Sequence, residues 1–102
     1  MNNLEWLENF YKQQCNGDWE HTYGLKIETL DNPGWFLKID LAETYLEDRE
    51  FSSVQIERTE SDWFHCHIKD KSFVIACGSK NLTEGIEIFR KWVEGEMHAE
   101  TT

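Results

Sequence analysis

GDWEHTYGLKIETLDNPGW, residues 17–35, is where the chain changes from helical to extended periodicity. It holds two of the five Trp, the only Pro and three of the six Gly. From Trp19 onward, Trp19, His21, Tyr23, Leu25 and Ile27 alternate with more polar residues, the pattern of a half-buried strand. After the Asp31-Asn32-Pro33-Gly34 turn, Leu37, Ile39 and Leu41 alternate with Phe36, Lys38 and Asp40. The two apolar sets must share one face, so the hairpin loop has an odd length, three or five residues. Placing Ile27 opposite Ile39 and Leu25 opposite Leu41 meets that condition. It also sets Glu28 beside Lys38 and Lys26 beside Asp40, two favourable cross-strand pairs. A two-residue Pro-Gly loop would put Ile27 opposite Asp40, and its type II twist suits a hairpin poorly.

Working outward, residues 3–15 carry Leu4, Leu7 and Tyr11 at helical spacing, with Trp6 and Phe10 widening the stripe. Asn3 is the expected cap, and Asn16-Gly17 the expected stop. Residues 42–50, AETYLEDRE, form an acidic connection. Strands are expected at 51–58, 62–69 and 72–77. The last two are joined by Asp70-Lys71, so that Phe64, Cys66 and Ile68 face Cys77, Ile75 and Phe73. Asn81 to Glu84 resembles a capping box opening a helix with Leu82, Ile86, Phe89, Trp92 and Val93 on one stripe. The expected fold class is α+β: a five-stranded antiparallel meander with the N-terminal and C-terminal helices on one face, in the order α-β-β-β-β-β-α. Residues 1–95 form one domain in this reading, and 96–102 a flexible tail.

The bulk numbers narrow the function classes. Twenty acidic against ten basic residues give a net charge of −10, of which −6 falls within 40–62. Such a surface repels nucleic acid and anionic membrane and speeds encounter with a basic partner. No apolar run reaches the ~18 residues of a membrane span, and no signal peptide is legible. Cys15, Cys66 and Cys77 make neither a disulfide framework nor a zinc pattern, so a cytoplasmic setting is expected.

Catalytic and metal sites receive little support. His65 and His67 share one side of a strand and could hold a metal with a carboxylate, but Cys66 points to the other side. Cys15 closes a helix, where the carbonyl ends disfavour an anion, and Cys66 and Cys77 read as inward. A small metal-binding or thiol enzyme using His65/His67 or a Cys is the alternative reading. Its expected signatures are bound zinc or nickel, or fast thiol alkylation. No cofactor and no metal are expected. The outer sheet face gathers Trp63, Phe36 and the two His among mixed charges, as a partner-binding patch would.

The segments WLENFYKQQCNGDWEHTYGLKIETLDNPGW (6–35), KIDL (38–41), ERTESDWFHC (57–66) and NLTEGIEIF (81–89), followed by Trp92, resemble the immunity protein 53 family of bacterial polymorphic toxin systems. GDWEH and TLDNPGW are the specific parts. The resemblance implies a small, non-catalytic cytoplasmic protein that binds and neutralises a cognate toxin domain. Its partner is then a protein, neither nucleic acid nor membrane, and its oligomeric state is open. The charge adds the expectation of a basic toxin such as a nuclease. The expected contact residues are Asp18, Glu20, Glu28, Asp40, Glu57, Glu60, Asp62 and Trp63.

Overall fold

The structure, a computed structural model, describes residues 1–95. The tail expected at 96–102 lies outside the described residues. The elements are α1 (Asn3–Gln14), α2 (Trp19–Thr22), β1 (Leu25–Leu30), β2 (Gly34–Asp40), β3 (Val54–Thr59), β4 (Asp62–Lys69), β5 (Ser72–Cys77) and α3 (Leu82–Val93). The fold is α+β, with an antiparallel five-stranded sheet and both long helices on one face. The strand order is β1-β2-β5-β4-β3, which corrects the sequential order of a meander. The reason is burial. β5, SFVIAC, carries no charge and takes the central place, where neighbours satisfy both of its edges. The connection from β2 to β3 therefore crosses one end of the sheet, with Leu41 and Leu46 fully buried.

Aromatic rings join the layers. Phe73 on β5 touches Phe51 of the crossing segment at 4.7 Å, Phe89 at 4.9 Å and Trp92 at 5.3 Å between centroids. Phe89 in turn meets Phe10 at 5.2 Å and Trp6 at 5.8 Å, which ties α1 to α3. Burial of each such ring stabilises the fold by about 1.5–3 kcal/mol. Three indoles also hold loops: Trp19 donates to the Ala42 carbonyl, Trp35 to Ser79 and Trp92 to Glu50, at 2.8–3.0 Å.

The 17–35 stretch departs from its expected form twice. Residues 19–22 make a helical turn rather than strand. Asn16 Oδ1 accepts from the Asp18 and Trp19 amides, and the Glu20 carboxylate accepts from the Asn16 and Gly17 amides, so side chains wind the backbone locally. Trp19 still reaches the core. The loop of β1–β2 has three residues, 31–33, of odd length as expected, but the register is shifted by two. Leu25 faces Ile39 and Ile27 faces Leu37. Glu28 thus lies opposite Phe36, and Lys26 opposite Lys38, so the expected charge pairs do not form. Gly34 sets this register by joining β2. A Cβ there would stand 2.3 Å from the Cys77 carbonyl oxygen, so only glycine lets β5 approach.

Elsewhere, the β4–β5 register is the expected one, and Asp70 and Lys71 both adopt positive φ, as a two-residue hairpin loop requires. The cap of α1 is Asn2 rather than Asn3, because Asn2 and Glu5 form the reciprocal capping box. Asn81 precedes α3 without a side-chain cap. Instead it is buried and bridges Asp62 Oδ1 and Glu84 Oε1, both at 3.0 Å, while its Oδ1 accepts from the Trp63 amide. Arg58 completes this cluster with a two-point bond to Asp62 (2.9 and 3.1 Å) and a bond of 2.7 Å to Glu84.

Two expectations follow from this packing. Gly34→Ala should lower stability by about 1–3 kcal/mol or more, since the obstacle is backbone. Gly24→Ala, where a Cβ meets nothing within 4 Å, should leave stability unchanged or slightly raised. Denaturation midpoints of the two variants test this, and equal losses would refute the account of Gly34. Separately, the Arg58 guanidinium, then Asn81, holds the Asp62 carboxyl below its usual range. Glu47 beside Lys71 and Glu87 beside Asn3 are lowered likewise. Their stabilisation is complete above the ordinary carboxyl pKa of about 4 and is lost as pH falls below it. Thermal midpoints should therefore drop on acidification from about pH 5 to pH 3, and less steeply in Asp62→Asn.

Candidate functional site

The helices cover one face of the sheet and leave the other open. Register fixes what that face shows. One row runs Glu28, Phe36, Ala76, His65, Gln55, and the next runs Lys26, Lys38, Val74, His67. Toward the end of the sheet, Gly34 and Gly78 lie in line with Trp63 and Glu57. A cleft of about 460 Å³ lies between the β1–β2 turn and the β3–β4 turn. Asn32, Glu57, Thr59, Glu60, Trp63 and His65 line it.

Its chemistry is acidic and aromatic. Trp63 is half-buried, with its ring 5.1 Å from that of His65. His65 Nε2 lies 2.8 Å from Glu57 Oε2, which fixes the Glu57 carboxylate at the cleft wall. The Glu60 carboxylate projects from the turn and makes no protein hydrogen bond among the described residues. No Lys or Arg lines the cleft. Trp63 alone of the five Trp lies on the open face, and its indole N–H has no protein acceptor among the described residues. A flat ring and two carboxylates, one of them held in place, stand side by side, and the ring face and the acids attract the same charge.

Seven of the eight residues expected at a contact surface fall into two groups at opposite ends of the sheet, about 20 Å apart along β2. Glu57, Glu60 and Trp63 meet in the cleft, with Asp62 behind them in the Arg58–Asn81–Glu84 cluster. Glu28 stands exposed on β1, midway. At the far end, Asp18 is exposed, Glu20 is bonded to the amides of Asn16 and Gly17, and Asp40 accepts from Ser72 Oγ at 3.0 Å and the Gly24 amide at 3.1 Å. Asn32 was not among the expected residues. It reaches the cleft only because β5 brings the first hairpin beside the last one.

Two of the three thiols are buried. Cys66 and Cys77 face the core, where burial pushes Cys66 up to about 12 and Cys77 up to about 11. Among the described residues no group of three or more His, Cys, Asp or Glu is arranged to hold a metal ion, and no helix is long and apolar enough to cross a membrane.

Comparison with known families finds a match to the model of immunity protein 53 over residues 4–94. No curated protein and no solved structure matches the chain. The matched span runs from α1 to the end of α3 and includes the whole sheet and the cleft. With nearly all of its described residues inside that match, the chain belongs to the immunity protein 53 family.

Proposed function

We propose that this immunity protein neutralises its cognate toxin by receiving a basic side chain of that toxin in the Trp63 cleft. The observation that carries the reading is the cleft itself, with two carboxylates, one half-buried indole and no Lys or Arg in its lining. An arginine fits it best: its guanidinium can stack on Trp63 while its N–H groups meet Glu57 and Glu60. The surrounding acids, Glu28 on the sheet and Asp18, Glu20, Asp40 and Asp62 further out, steer the approach of a positively charged protein. A toxin that acts on nucleic acid has such a basic surface, so a nuclease is the proposed class. The protein acts by occupying the toxin and performs no catalysis.

Association with the cognate toxin domain tests this. Glu57→Lys and Glu60→Lys should lower kon roughly tenfold at low salt, with the gap closing as salt rises. Trp63→Ala should raise Kd by a factor of about 30 or more. Unchanged kon, Kd and salt dependence in all three variants, with folding intact by circular dichroism, would refute the cleft as the contact.

A further inference from the structure

We propose that β1 is a self-association edge, through which two copies pair antiparallel about Ile27 into one continuous ten-stranded sheet. This goes beyond the toxin-binding reading and does not depend on it.

The backbone is set for such pairing. Asp40 N donates to the Gly24 carbonyl at 3.0 Å, and Gly24 N donates to Asp40 Oδ2 at 3.1 Å, so the polar groups of Gly24 face β2. By strand alternation Lys26, Glu28 and Leu30 face β2 too. Leu25, Ile27 and Thr29 then turn their N–H and C=O groups to the free edge. No strand pairs with that edge among the described residues. A two-fold axis at Ile27 puts Ile27 opposite its copy and Leu25 opposite Thr29 of the copy, with all the outward groups in hydrogen-bonding positions.

Charge selects this register. On the open face Lys26 stands opposite Lys38, an unfavourable like-charge pair, and makes no ion pair among the described residues. In the two-fold arrangement Lys26 of each chain comes opposite Glu28 of the other, so that one ladder gains two opposite-charge pairs. The other edge is unsuited: β3 carries a register shift between Glu57 and Thr59, and Gln55 would face Glu57 across an axis at Ile56.

The apolar face agrees. α1 packs beside α3 and leaves the inward side of β1 partly bare. A groove of about 320 Å³ opens there, with Leu4 58%, Tyr11 40% and Ile27 37% exposed on its walls. Three of the large exposed apolar side chains thus gather at the one edge whose charges are self-complementary. Pairing brings the two Ile27 side chains together at the axis and closes that end of the groove.

Sedimentation velocity at physiological ionic strength tests the proposal, since low salt would oppose the meeting of two chains of charge −10. The wild-type chain should pass from its 12.2 kDa monomer to twice that mass between micromolar and millimolar concentration. Lys26→Glu and Glu28→Lys should each weaken the dimer by roughly tenfold or more, because each substitution acts twice across the axis. Mixing the two variants should restore association, since every pair across the axis is then of opposite charge. Three results would each overturn the proposal: a wild-type monomer at all concentrations, a dimer indifferent to both substitutions, or two monomeric variants that fail to associate when mixed.

Discussion

The burial of one uncharged strand constrains the rest of this fold. β5 has no charged residue and five of its six side chains are apolar, so strands flank it on both sides and α3 lies across it. Helix and strand come close because Gly85 faces Ile75; a Cβ at Gly85 would stand 2.7 Å from Ile75 Cγ2. Phe73 then sits where the sheet, the crossing segment and α3 meet. The long β2–β3 connection is a consequence of this placement, because β2 must hand its neighbour position to a strand that comes later in the chain. The same crossing brings the 31–33 turn beside Trp63 and so creates the cleft.

What the sequence made legible follows from how local each determinant is. The β4–β5 register could be read because Asp70-Lys71 leaves no slack between two alternating segments. The parity of β1–β2 could be read for the same reason, since a slip of one residue would expose every apolar side chain. A slip of two keeps the faces, and Gly34 resolves it only through a carbonyl of β5, far along the chain. Trp19 and Tyr23 misled because positions i and i+4 satisfy both a strand and a helical turn. Asn16 and Glu20 decide between them by bonding to backbone amides. The strand order did have a local signal, since SFVIAC is the one strand of the five without a charged side chain, the mark of a central position.

The site was legible in its chemistry and not in its assembly. Alternation alone places Glu57, Trp63 and His65 on the outer face, and Glu60 in the adjoining turn. The arrival of Asn32 at the cleft depends on which strands are neighbours, and no spacing in the chain encodes that. His65 carries a further point. Paired with His67 it suggests a metal ligand, but its ring is engaged by Glu57 and lies tilted against Trp63, so it supports the cleft wall.

The acid surplus itself divides once partners are assigned. Glu20, Glu47, Asp62 and Glu87 are held below the usual carboxylate range by amides, Lys71, Arg58 and Asn3 respectively, and these carboxylates serve the fold. Asp40 also serves the fold, accepting from the Ser72 hydroxyl and the Gly24 amide. Glu28 and Glu60 have no such bond among the described residues, and Glu57 is oriented by His65 toward the open face. Structural acids gain from being paired and would lose that gain to a competing cation. The unpaired ones cost the isolated chain only mutual repulsion, which a basic partner removes. A surface built to capture a cationic protein should therefore use the second set. In this chain Glu60 stands unpaired at Trp63 beside Glu57, whose one bond is to His65, and Glu28 stands on the edge strand whose charges match a second copy.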